Sequence, residues 1–101
     1  MMKETLQALK NNDGLTLKGY KAIMHTEGYQ VADYGVECKT VEEALKAIDS
    51  MHGDCGVWYS DQTYYIDHSF QVATEEEALT IGRKHNQISV LDWKTMQLIY
   101  C

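Results

Sequence analysis

The sequence predicts an α+β domain of three αββ units, with a mainly antiparallel sheet and helices packed on one face. Three observations carry this. The chain of 101 residues is 45% hydrophobic and 24% charged, an ordinary composition for a single domain spanning 1–101. The segment Thr40-Val41-Glu42-Glu43-Ala44-Leu45 returns 34 residues later as Thr74-Glu75-Glu76-Glu77-Ala78-Leu79. Helical spacing then gives way to strand-like alternation after each copy.

The repeat extends beyond these hexapeptides. At the same offset Asp33 answers Asp67, Val36 answers Phe70 and Cys38 answers Val72. At an offset of 33, His52 answers His85, Cys55 answers Ile88 and Val57 answers Val90. A fainter echo, Gln7-Ala8-Leu9, suggests a first copy, which places the units at 1–38, 39–72 and 73–101.

The elements follow in order. A first helix is expected near 3–12, then strands over 15–25 and 29–38 around Glu27-Gly28, with Gly19 and Gly35 marking bulges. Thr40 and Thr74 are N-caps with Glu43 and Glu77 at N3, so capping boxes open helices near 41–52 and 75–85. Val41, Ala44, Leu45, Ile48 and Met51 form one apolar helical face. Gly53 and Asn86 accept the left-handed conformation that ends a helix. Strands 55–59 and 63–72 flank Ser60-Asp61-Gln62, and strands 88–92 and 96–100 flank Lys94-Thr95. Proline is absent, so caps and glycines alone set the boundaries.

Charge is unevenly spread. The net charge is −6, but residues 31–77 hold eleven acids and two bases, a local −9. Such a field repels phosphate backbones and attracts basic partners, which argues against direct nucleic-acid binding. No apolar run reaches the roughly 18 residues of a membrane helix. Met1–Lys10 also lacks a signal-peptide block, so a cytoplasmic domain without membrane contact is expected.

Chemistry-bearing motifs are sparse. The three cysteines are odd in number and expected as free thiols. His52-Gly53-Asp54-Cys55 has the spacing of a metal half-site, with His68 and His85 as further ligands. The repeat instead equates Cys55 with Ile88 and Cys38 with Val72, so both thiols read as buried apolar groups, with no metal or cofactor expected. No nucleophile elbow, phosphate loop or dinucleotide fingerprint occurs. The expected function is a non-enzymatic module binding a protein with a basic surface. Its candidate contact residues are Glu42, Glu43, Asp49, Trp58, Tyr59, Asp61, Tyr64, Glu75 and Glu76, pairing acidic helix starts with an aromatic hairpin. The alternative is a small hydrolase or transferase built on a carboxylate and His25, His52, His68 or His85.

The run Glu76-Glu77-Ala78-Leu79-Thr80-Ile81-Gly82-Arg83, followed by Gln87-Ile88-Ser89-Val90-Leu91-Asp92-Trp93, resembles small uncharacterised proteins of bacterial phages and mobile elements. The likeness covers the last third of the chain. It implies an anti-defence role of the anti-CRISPR kind, inhibition of a host nucleic-acid-binding protein, and it transfers no functional residues.

Overall fold

A computed structural model describes residues 2–101. Along the chain lie α1 (Met2–Gln7), β1 (Asp13–Lys18), β2 (Lys21–Ile23), β3 (Tyr29–Cys38), α2 (Val41–Ser50), β4 (Asp54–Ser60) and β5 (Thr63–Val72). α3 (Glu75–Lys84), β6 (Ser89–Asp92) and β7 (Gln97–Tyr100) complete it. The strands form one antiparallel sheet in the order β2-β1-β4-β5-β3-β6-β7. The α+β class is as expected, and the helices pack on one face.

The pairing changes the unit. β1 and β3 were expected to form the first hairpin, yet β4 and β5 lie between them. β5 sits between β3 and β4, and β3 sits between β5 and β6. The central elements β3-α2-β4-β5-α3-β6 are therefore two interlocked β-α-β units, the split arrangement of ferredoxin-like sheets. The repeat's matches fall on this division: β3 on β5, α2 on α3, β4 on β6. The strand pairing does not reproduce three separate αββ units. Each unit begins at a strand, and β1, β2 and β7 extend the sheet outward.

Local chemistry explains the helices. Thr40 Oγ1 accepts from the Glu43 backbone N–H and Thr74 Oγ1 from that of Glu77, and each hydroxyl donates to the same glutamate's carboxylate. Ala44 and Ala78, equivalent in the repeat, are both fully buried where the helices meet the sheet. α1 stops at Gln7 rather than near residue 12 because the next polar residues have other partners. Asn11 Oδ1 accepts from the Asp61 N–H at 2.7 Å, and Asn12 N–H donates to the Tyr59 carbonyl at 2.7 Å. Both bonds tie this segment to the β4–β5 turn, where Asp61 and Gln62 take positive φ as a two-residue hairpin turn requires.

The expected strand 15–25 is a short hairpin, β1 and β2, that turns at Gly19 (φ 63°). The bulge in β3 falls between Ala32 and Tyr34, at Asp33, rather than at Gly35. Gly35 serves a different purpose, because a Cβ there would collide with the Asp67 carboxylate from β5. Directly paired residues share a face, so Leu17, Cys55, Val57, Tyr64, Ile66, Val31 and Phe70 all point toward the helices. They build two clusters, one under α1 and α2 and one under α3.

Ile66 is fully buried at the centre of the first cluster, whereas Ile88 is 80% exposed. Ile66→Ala is expected to cost about 2–5 kcal/mol, a large share of the margin of a small domain. Ile88→Ala is expected to change stability by less than about 0.5 kcal/mol. Urea denaturation of the two variants measures both.

Candidate protein-interaction face

The sheet face away from the helices is covered at one end and open at the other. Residues 24–28 lead from the edge strand β2 back to β3 and cross this face. His25 Nε2 lies 3.3 Å from Asp54 Oδ2, its ring meets Trp93 edge-on, and the Glu27 carbonyl accepts from Gln71 Nε2. Gly28 (φ 79°) packs so tightly that an added Cβ would lie 2.8 Å from the Val72 carbonyl. Beneath this crossing the Gln30 amide makes three hydrogen bonds. Its Nε2 donates to Asp54 Oδ2 (2.9 Å) and Ser69 Oγ (3.0 Å), and its Oε1 accepts from Trp93 Nε1 (3.0 Å). Gln30, Ser69 and Trp93 are all buried, so this network seals the covered end.

At the open end, register places two rows side by side. Gly14, Trp58, Tyr65 and Glu37 form one row; Thr16, Gly56, Asp67 and Gly35 form the next. The Trp58 ring lies over Gly14, where an added Cβ would meet ring carbon Cε3 at 2.8 Å, and the residue stays 43% exposed. Asp67 has a glycine on each side. It has no hydrogen-bond or ion-pair partner among the described residues, and burial pushes its carboxyl above the usual aspartate range. A carboxylate left without donors in a partly desolvated place is a feature of functional sites. A shallow groove of about 460 Å³ runs from Asp67 past Gly35, Glu37 and Tyr65 to Asn86 and Gln87 in the α3–β6 loop.

The residues expected to form the contact surface divide between layers. Glu42, Glu43, Glu75 and Glu76 are exposed in the first turns of α2 and α3, and Asp49 is exposed near the end of α2. Asp61 is exposed at the β4–β5 turn. Trp58 alone of the aromatics in that set points to the open face. Tyr59 and Tyr64 pair on the helix side with ring centroids 4.7 Å apart. Tyr64 is a core residue, 7% exposed, whose hydroxyl donates to the Leu6 carbonyl. The expected contact set leaves out Asp67, Tyr65 and Glu37, which register places beside Trp58. Asp67 and Gly35 lie 32 positions apart and meet only through the β3–β5 register; the pair of in-strand glycines, Gly35 and Gly56, was the available signal.

Two histidine–carboxylate pairs occur among the described residues, His25 with Asp54 and His68 with Asp33. His68 Nδ1 donates to Asp33 Oδ1 at 2.7 Å, and its Nε2 donates to the His52 carbonyl at the end of α2. Both ring nitrogens face oxygen acceptors, which favours the protonated ring and raises its pKa. The Tyr34 ring stacks on it at 5.1 Å. Among the described residues, no group of three or more His, Cys, Asp or Glu is arranged to hold a metal ion. Cys38 and Cys55 are buried free thiols, and burial, followed by the Asp67 charge, pushes Cys55 up to about 11.

These features define a small split β-α-β domain whose sheet is covered on one face and half open on the other. No family model matches the chain, and neither a curated protein nor a solved structure does.

Two outcomes follow from this geometry. The hydrogen bond to Asp33 raises the His68 pKa above the usual histidine range, so its contribution to stability is complete below the unfolded value of about 6.5. It is lost as pH rises through the folded value. The urea midpoint should fall over that interval, and Asp33→Asn should flatten the fall. In the native protein a thiol-specific disulfide reagent should label Cys101 quickly, and Cys38 and Cys55 only on unfolding.

Proposed function

We propose that the protein is a non-enzymatic binding module whose open sheet face docks a protein with a basic surface. The observation that carries this reading is the half-exposed Trp58 beside the unpaired Asp67 on a face no helix covers. An aromatic anchor next to an acceptor lacking a donor is the composition of an interface hot spot. Glu37, Asp54 and Asp67 share this face with Lys18 and Lys21, and the carboxylates of Asp67 and Glu37 dominate its open end. The acids of α2 and α3 lie on the other side of the sheet and steer a basic partner at longer range. Occupying a basic surface in this way blocks phosphate from it, which makes the protein an inhibitor of a nucleic-acid-binding partner, the role that the resemblance to phage and mobile-element proteins implies.

The test uses a partner captured from the host cell, then purified and titrated. Trp58→Ala should weaken binding at least tenfold. The triple reversal Glu42→Lys, Glu75→Lys, Glu76→Lys should slow association and reduce its salt dependence, with little change in dissociation. Wild-type affinity in Trp58→Ala overturns the assignment of the face.

A further inference from the structure

We propose that the groove at Asp67 is a socket for a guanidinium group, the side chain of an arginine on the basic partner; this rests on the reading of the open face as a docking surface. The lining is selective in its chemistry. Asp67 and Glu37 contribute carboxylates, Asn86 and Gln87 carboxamides, Tyr65 a phenol ring and Val36 an apolar flank, and among the described residues no lysine, arginine or histidine lines it. Beside it, β3 pairs with β6 only at Tyr29 and Gln30, so among the described residues no strand pairs with the Gly35–Glu37 edge on that side. Such a site offers two carboxylates and no cation to pair with them.

Asp67 sets the position. The absence of a side chain at Gly35 lets its carboxylate lie over the β3 backbone, and any Cβ there would strike Oδ1. Gly56 leaves the opposite flank open, with an ideal Cβ no nearer than 3.7 Å to Asp67 Cβ. The carboxylate is partly desolvated and no described residue donates to it, so a ligand that brings N–H groups recovers a cost the fold has already met. Guanidinium fits better than ammonium for three reasons. Its five donors spread in a plane and satisfy two carboxylates together, it stacks on a ring such as Tyr65, and it sheds water more readily.

Titration of the ¹⁵N-labelled protein with Nα-acetyl-arginine methylamide, against the lysine analogue at matched ionic strength, tests this. Saturable shifts are expected at the amides of Gly35, Asp67 and Gln87, with the arginine derivative binding at least fivefold tighter. Asp67→Asn should weaken it at least tenfold, and Glu37→Gln should weaken it less. Equal shifts with both analogues, or affinity unchanged in Asp67→Asn and Glu37→Gln, overturn the socket. The partner titration separates the two proposals. If Trp58→Ala weakens the partner and Asp67→Asn does not, the docking face stands and the socket fails; if neither matters, both fail.

Discussion

The pairing of β3 with β5 is the constraint on which the rest of this structure depends. Both strands are ten residues long and run antiparallel along almost their whole length. Each starts a β-α-β unit, and each occupies the place in the sheet that the other unit's connection must cross. α2 leaves β3 and returns at β4 beyond β5; α3 leaves β5 and returns at β6 beyond β3. Neither unit closes its sheet without the other. Ile66, Val31, Cys38 and Tyr64 on this pair carry both hydrophobic clusters, so the long-range register and the core form together.

Polar groups then tie the outer elements to this centre. His68 joins β5 to the Asp33 bulge of β3 and to the end of α2, and the bulge turns the carboxylate toward the ring. A cation at a helix C-terminus also complements the helix dipole. On the other face Gln30 gathers Asp54, Ser69 and Trp93 into one network beneath the 24–28 crossing. These contacts cover half of the open face and leave the other half, with Trp58 and Asp67, bare. The groove is thus a consequence of where the crossing passes.

Asp67 stands apart from this pattern. Its equivalent in the repeat, Asp33, is hydrogen-bonded to His68, while Asp67 has no such partner among the described residues. The β3 bulge explains the difference. It shifts Asp33 to the helix side, where an imidazole is available, and the unbulged β5 leaves Asp67 on the open face. One inserted residue has separated two equivalent acids into a structural clamp and a surface acceptor.

The sequence by itself determined the local chemistry. Thr40 with Glu43 and Thr74 with Glu77 start their helices through bonds three residues apart, and such short-range signals are legible in any chain segment. Cys38 and Cys55 are buried as expected, although Ile88, the residue equated with Cys55, is exposed. Tertiary structure alone decided the phase of the repeat, since αββ and β-α-β are circular shifts of one pattern and only strand pairing distinguishes them. It also decided the side on which each acid and ring lies. Strand residues alternate faces, so the Asp33 bulge inverts a set of them without leaving a mark in composition. The Asp67 groove arises where Gly35, Gly56 and the α3–β6 loop meet through register, a long-range property that no local pattern encodes.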